Sequence, residues 1–270
     1  MLPRGFGPRS TQPGAHVSSR PGSLYEEAAR LIQGAGRITA FTGAGISAES
    51  GIPPFRGPDG LWSRYDPQVL DIGFFHSDPK RSWTAIREIF YSSFVAAQPN
   101  AAHYALAAME AAGKLHGIIT QNIDNLHYRA GSRIIWEFHG NSRTLICLGC
   151  SKTYAAATVD LGELPPTCRL CGGILKPDFV FFGEPIPEPA GTKAFLAAQT
   201  SEVLLLIGTT GEVMPAALIP PAAKESGARI IEINTEESQF TRQITDIFLK
   251  AKATVAMVRL VELLGIRLPA

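Results

Sequence analysis

The sequence predicts an α/β fold in which a parallel sheet is covered by helices on both faces. Three observations carry that prediction. Short runs of β-type residues recur along the chain, helical patterns lie between several of them, and the runs are apolar almost throughout instead of alternating, as strands buried on both faces are.

Taken in order, residues 1–22 hold Pro3, Pro8, Pro13 and Pro21 among Gly, Ser and Arg, with no acid and no apolar periodicity, which is the composition of a disordered tail. Arg4, Arg9 and Arg20 give it a weak likeness to an organelle transit peptide, against which the prolines stand because they oppose an amphipathic helix. From Ser23 the pattern changes. Ser23 and Glu26 have capping-box spacing, and Leu24, Ala28, Leu31 and Ile32 recur at helical intervals. Gly34 and Gly36 close this helix, and Arg37 to Thr42 reads as a buried strand running into Gly43-Ala44-Gly45. Further strands are expected at Gly117 to Thr120, Ile134 to Phe138, Val203 to Ile207 and Arg229 to Ile233, with helices at Ala101 to Ala112, Lys193 to Ala198 and Ala216 to Lys224. Two stretches break the alternation: Pro58 to Gln98 is aromatic-rich and helical in pattern, and Asn141 to Pro177 encloses all four cysteines. The expected organisation is a main α/β domain from residues 23–57, 99–140 and 178–265. A smaller domain would be formed by a helical insertion at 58–98 and a cysteine-bearing insertion at 141–177.

Composition narrows the function. With 45% hydrophobic and 18% charged positions in 270 residues, the chain can bury a full core. The apolar runs are short, Val203 to Ile207 among them, and fall far below the roughly 20 residues that cross a bilayer, so no membrane association is expected. A net charge of +1 leaves no field to collect nucleic acid, and none is expected as a partner. A near-neutral surface without heptads is compatible with monomer and dimer alike.

Cys147/Cys150 and Cys168/Cys171 form two C-x-x-C pairs whose separation matches a four-thiolate zinc site, with Gly149, Gly172 and Gly173 suited to the sharp turns. A site closed by four thiolates has no open position for water, so the zinc is structural. Paired thiols of this kind also point to a reducing, cytoplasmic setting. Gly43-Ala44-Gly45-Ile46-Ser47-Ala48 fits the dinucleotide fingerprint, in which glycines allow the backbone to approach a pyrophosphate at a helix N-terminus. About 20 residues further on, where a hydride-transfer enzyme of this fold places its ribose-binding acid, stands Trp62-Ser63-Arg64-Tyr65. Hydride transfer is therefore not the expected chemistry. Gln121-Asn122-Ile123-Asp124 follows a buried strand and falls at the carboxyl end of the sheet, where such sheets bind ligands, and its side chains suit an amide or ribose hydroxyls. His139, delivered to another strand end, is the natural general base at neutral pH.

Together these residues resemble the sirtuins, NAD-dependent protein lysine deacylases. The likeness rests on Gly43-Ala44-Gly45-Ile46-Ser47 with Gly51-Ile52-Pro53 and Phe55-Arg56; Thr120 to Asp124 with Leu126-His127; Phe138-His139-Gly140; the cysteine quartet; Val180 to Glu184; Gly208-Thr209-Thr210; and Ile233-Asn234, in family order from about Leu24 to Leu264. It implies a Rossmann-type large domain, a small zinc-bearing domain, and a cleft between them that takes NAD and an acylated lysine of a protein or peptide.

The resemblance also implies residue roles. Gly43, Ala44, Gly45 and Ser47 would cradle the phosphates, and Gly208, Thr209, Thr210 and Asn234 would line the adenosine side. Ile52, Pro53, Phe55 and Arg56 would belong to the cofactor loop, with Phe55 shielding the reacting sugar. Gln121, Asn122, Ile123 and Asp124 would face the nicotinamide ribose and carboxamide pocket. His139 would be the base, with Asn122 beside it. NAD would be consumed, its nicotinamide released and the acyl group transferred to ADP-ribose. Val180, Phe182, Gly183 and Val213 would hold an extended peptide by strand addition. Aligning on Trp83 places Ile86 and Ile89 where sirtuins that prefer acidic acyl groups carry Tyr and Arg. An apolar wall there cannot compensate a carboxylate, which favours neutral acyl groups. The chain departs from the family pattern at Pro54 in the cofactor loop, at Gly211-Glu212 beside the peptide groove and at Ala251-Lys252 beside the adenine. Two other functions use the same residues: mono-ADP-ribosyl transfer to a protein, and non-catalytic binding of NAD or acyl-lysine.

Overall fold

The computed structural model describes residues 21–55, 60–92, 94 and 96–268. The tail expected at 1–22 lies outside the described residues up to position 20; Pro21 and Gly22 already belong to the first helix, α1 (Pro21–Gly34).

After α1 the chain forms β1 (Ile38–Thr42), a run of short turns, α2 (Ile72–Ser77) and α3 (Pro79–Ile86), then α4 (Ala101–Ala111), β2 (Gly117–Thr120), α5 (Leu126–Arg129) and β3 (Ile135–Glu137). Three further strands, β4 (Gly140–Cys147), β5 (Thr153–Ala155) and β6 (Leu175–Phe179), precede α6 (Ala190–Gln199), β7 (Val203–Ile207), α7 (Ile219–Glu225), β8 (Arg229–Asn234), β9 (Ile247–Lys250) and α8 (Ala253–Leu263). Six strands make one parallel sheet in the order β3-β2-β1-β7-β8-β9. This is the doubly wound arrangement, and strand order reverses between β1 and β7, so the crevice that such sheets offer to ligands opens there, at the strands' carboxyl ends.

Strand pleating sorts the core. On one face Val203, Leu205 and Ile207 of β7 pack with Ile38 and Ala40 of β1 under α1, α4 and α8; on the other, Leu204 and Leu206 pack with Phe41 under α6 and α7. β1 and β7 are buried at every position, as their unbroken apolar runs require. The second sheet is antiparallel, with β4 between β5 and β6. Its strands share one core with the aromatic segment: Trp83, Phe75, Ile86, Ile89 and Phe90 pack with Leu145, Leu175, Phe179, Phe181, Cys147 and Cys168. Trp83 donates its indole N–H to the Leu175 carbonyl at 2.8 Å, which satisfies a polar group that full burial would otherwise leave stranded.

The structure differs locally from the sequence reading, which named neither β4, β5 and β6 nor α8. Residues Ala44–Ser50 form a 3-10 helix, not the α-helix the dinucleotide fingerprint suggests. The helix expected at Ala216 begins as a 3-10 turn and becomes α-helical at Ile219, because Pro220 and Pro221 fit a first helical turn but not an interior. Finally, β9 adds a sixth strand at the sheet edge.

Candidate active site

A cleft of about 750 Å³ opens at the carboxyl ends of β1, β2, β7 and β8 and extends to the aromatic wall of the zinc-side unit. Gly43, Ala44 and Gly45 form its floor, pressed against the loop after β7: the Gly43 N–H donates to the Ile207 carbonyl at 3.0 Å and the Gly45 N–H to the Gly208 carbonyl at 2.9 Å. A Cβ on Gly43 would sit 2.7 Å from the Gly208 oxygen, and one on Gly45 2.7 Å from the Gly208 Cα. Here the glycines are required by two backbones in contact. Gly208, Thr209 and Thr210 line the same end, and Asn234 Nδ2 donates to the Thr209 carbonyl at 3.0 Å.

Ser47 faces away from the cleft. Fully buried, it donates its hydroxyl to Asp124 Oδ2 at 2.7 Å and accepts from Asn122 Nδ2 at 3.2 Å. Asn122 Nδ2 also donates to the Gly43 carbonyl, which fixes the amide plane at the cleft wall. Asp124 lies behind that wall, its carboxyl pushed above the usual range by burial and held back by bonds from Leu126 N–H and Ser47. Gln121 and Ile123 line the cleft, and Gln121 donates to Thr209 Oγ1 at 3.0 Å, linking the β2 and β7 loops.

His139 lines the cleft between these loops and the aromatic wall, with Nδ1 3.1 Å from the Gln121 carbonyl. A carbonyl only accepts, so Nδ1 carries the proton and the Nε2 lone pair is the ring's basic atom. Burial moves this histidine below its ordinary pKa, against a smaller opposite pull from the Gln121 bond, so it is neutral at pH 7.

Of the cofactor-loop residues, Phe55 lines the cleft with its ring 5.3 Å from Trp62, whose own ring lies 6.4 Å from Phe182. Ile52 packs with Ala97 and Leu126 instead, Pro53 is half-buried outside the cleft lining, and Arg56 lies outside the described residues. Val180, Phe182, Gly183 and Val213 line the cleft. Ile86 and Ile89 do not: both are fully buried in the core beside Trp83, and next to them it is Phe90 that reaches the cleft, as Trp62 and Leu70 do earlier in the same segment. Helical periodicity turns Ile86 and Ile89 inward, and the apolar part of the cleft wall is formed instead by Leu70, Phe90, Ile123, Phe179 and Phe181.

The four cysteine sulfurs lie within 4.8 Å of one another, with Cys147–Cys171 at 3.5 Å and Cys150–Cys168 at 3.7 Å. Zinc–sulfur bonds of about 2.3 Å place tetrahedral sulfurs about 3.8 Å apart, so the quartet fits one zinc. The Tyr154 hydroxyl, 3.0 Å from Cys168 Sγ, helps bring that thiol down to about 6, toward the thiolate a metal needs.

Two further histidines stand behind Ser47: His103, which the sequence did not mark as a site residue, and His127, marked there only within the Leu126-His127 motif; their rings are tilted at 58° with centroids 4.9 Å apart. His103 Nε2 lies 3.4 Å from Ser47 Oγ, and His127 Nε2 lies 2.9 Å from Thr42 Oγ1. The legible signal for His103 was its place three residues after Asn100, with which it completes a capping box on α4. Trp62 was also missed as a cleft residue.

The fold and cleft define a class, a doubly wound nucleotide-binding protein carrying a thiolate metal module. Comparison with known proteins narrows it. The Sir2 family pattern matches residues 43–215. NAD-dependent protein deacylase 2 of Pyrobaculum aerophilum is 47% identical over 87% of this chain and 93% of its own length, and the NAD-dependent protein deacylase of Aeropyrum pernix is 45% identical over 89% and 97%. A solved structure described as "Structural Basis for the Mechanism and Regulation of Sir2 Enzymes" superposes with a TM-score of 0.84 at 40% identity, covering 90% of this chain and 98% of that one. A Sir2–p53 peptide–NAD+ complex does so with a TM-score of 0.82 at 34% identity, covering 88% and 98%. The chain belongs to the Sir2 family, the sirtuins.

Proposed function

We propose that the chain is an NAD-dependent protein lysine deacylase that prefers neutral acyl groups and transfers them to ADP-ribose, with His139 as general base. The observation that carries this reading is the His139 imidazole, held neutral by burial and locked in one tautomer by the Gln121 carbonyl, on the wall of a cleft whose other end is the glycine floor.

Gly43, Gly45, Gly208, Thr209, Thr210 and Asn234 would hold the diphosphate and adenosine end of NAD, and Gln121 and Asn122 its nicotinamide end. When bound, NAD supplies an electrophilic sugar carbon with nicotinamide as leaving group. Asn122 spends both N–H groups on Gly43 and Ser47, so its Oδ1 is the polar atom that remains for a ligand. Phe55, against Trp62, covers the cleft and excludes water once nicotinamide has gone, and His139 Nε2 takes the proton from a ribose hydroxyl as the acyl group is transferred. The relatives' names, protein deacylase and protein deacetylase, and the p53 peptide and NAD+ in the Sir2 complex, supply the substrate class: an acylated-lysine protein or peptide.

Neutral acyl groups are favoured because, among the described residues, the cleft lining holds a single lysine and no arginine: Lys252, beside the adenosine end, while His139 is held neutral by burial. A succinyl carboxylate against Leu70, Phe90 and Phe181 would be buried without a partner. Faster removal of succinyl than acetyl from otherwise identical peptides would refute that preference. No described helix is long and apolar enough to cross a membrane; the paired, unbridged cysteines support a cytoplasmic setting. Mixing the protein with NAD and an acetyl-lysine peptide should release nicotinamide and free lysine in equal amounts. Nicotinamide release with the peptide still acetylated would contradict the reading.

A further inference from the structure

An ion pair between a buried lysine and a half-buried glutamate, outside the catalytic set, holds the peptide side of the cleft. Lys176, in β6, has a side chain only 5% exposed, and its Nζ donates to the Pro177 carbonyl at 3.1 Å, the Phe179 carbonyl at 2.8 Å and Glu184 Oε2 at 2.8 Å. Those three acceptors use all three ammonium protons, and the charge also sits 4.2 Å from the centre of the Phe181 ring. Glu184 Oε2 accepts a second bond, from the Phe181 N–H at 2.8 Å, while the Glu184 N–H returns one to the Phe181 carbonyl at 3.0 Å. Gly183, at φ +89°, makes the reversal that lets Glu184 reach back, a conformation any other side chain would strain.

The pair therefore ties the backbone on either side of Val180. Neighbouring bonds complete the clamp: the Val180 N–H donates to the His139 carbonyl at 2.9 Å and the Phe182 N–H to the Leu70 carbonyl at 2.8 Å. Among the described residues the Val180 carbonyl and the Gly183 N–H have no backbone partner, and both residues line the cleft. A partly buried ion pair adds little net stability over apolar side chains of the same volume, so its contribution here is position.

We propose that Lys176 and Glu184 are positioning residues that fix the Val180–Gly183 backbone in register to bond an extended acyl-lysine peptide, while leaving NAD binding untouched. The inference rests on the deacylase reading. It separates two halves of one cleft: the glycine floor governs the dinucleotide, and the Lys176–Glu184 tie governs the peptide.

The test uses the full chain and three variants. Lys176→Met with Glu184→Leu removes both charges and leaves no unpaired buried ion; Glu184→Gln keeps the hydrogen-bonding shape without the charge; Lys176→Arg keeps charge and donors. Binding of a fluorescein-labelled acetyl-lysine peptide is read by anisotropy and NAD binding by calorimetry, so neither readout needs turnover. The double variant should bind peptide at least tenfold more weakly with NAD affinity within twofold of wild type. Glu184→Gln should fall between, and Lys176→Arg should lie within threefold of wild type for both ligands. Should the double variant fail to fold, the contrast between Glu184→Gln and Lys176→Arg decides: weaker peptide binding only in the former supports the proposal. Equal losses of peptide and NAD affinity, or unchanged peptide affinity, overturn it. Wild-type protein that binds NAD but no acetyl-lysine peptide overturns the deacylase reading itself, and the proposal with it.

Discussion

At the residue scale the site depends on which groups are kept neutral. His139 is usable as a base because its Nδ1 proton is committed to Gln121 and its charged form is disfavoured by burial. Replacement by Ala should lower kcat by about 10²–10⁴-fold, the usual range for a lost general base, while calorimetry finds NAD affinity nearly unchanged. In the wild type, the acid limb of kcat/KM against pH should have its midpoint below the ordinary histidine value of about 6.5. His103 and His127 make a stability prediction. Burial lowers His103 to about 4 and holds His127 well below its ordinary value, with His103 adding to the second effect. The unfolded chain then binds protons that the folded chain refuses, so stability is intact above about pH 6.5 and falls as the pH drops toward 4, by up to about 1.4 kcal/mol per pH unit for each histidine. Asp124, raised by burial, works in the opposite direction as it takes up a proton on folding. Urea denaturation across pH 4–7 should show a shallower acid slope in His103→Asn than in wild type; an unchanged slope would contradict the assignment. The burial of these rings was not legible: the spacing from Asn100 marks His103 as a capping residue and the Leu126-His127 motif marks a resemblance, but neither shows a buried ring until the packing around it is known.

At the element scale, two loops and one small sheet do most of the positioning. The β1 and β7 loops touch through Gly45 and Gly208, so Gly45→Ala forces backbone apart and should cost about 1–3 kcal/mol in overpacking. It should also weaken NAD binding at least tenfold by calorimetry, since the floor it displaces is shared. The cysteine-bearing sheet is tied to the cleft differently, through the core in which Cys147 and Cys168 pack with Phe179 and Phe181. Removing zinc with a strong chelator should abolish deacylation and give calorimetry an early transition separate from the main sheet's unfolding. Zinc added back should restore both. Activity surviving in the metal-free protein would contradict a structural role. The thiolate spacing was fully readable, because metal geometry dictates it. The strands β4 to β6 were not, since their short runs are interrupted by knuckles and by Pro177. The aromatic segment read correctly as helical, yet its facing did not: Ile86 and Ile89 turn into the core, and only packing shows that Trp62, Leu70 and Phe90 are the residues that reach the cleft.

At the scale of the whole molecule, the parallel sheet was legible because full burial writes itself as unbroken apolar runs, as in Val203 to Ile207 and Ile38 to Thr42. Strand order was not, and it is the order that matters for function: the reversal between β1 and β7 opens the crevice into which Gly43, Gln121, Gly208 and Asn234 converge from four strand ends. The edge strand β9 was not legible because only Ile247 and Leu249 of Ile247 to Lys250 are buried, so it lacks the unbroken apolar burial that marks the inner strands. The central claim is that this convergence consumes NAD to remove an acyl group from lysine. Mass spectrometry of acetyl-, butyryl-, myristoyl- and succinyl-lysine peptides, with and without NAD and beside His139→Ala, tests it most directly. The account predicts NAD-dependent loss of neutral acyl groups, O-acyl-ADP-ribose in matching amount, and neither product with the variant. Intact peptides in the presence of bound NAD, or ADP-ribose attached to protein in place of O-acyl-ADP-ribose, would contradict it.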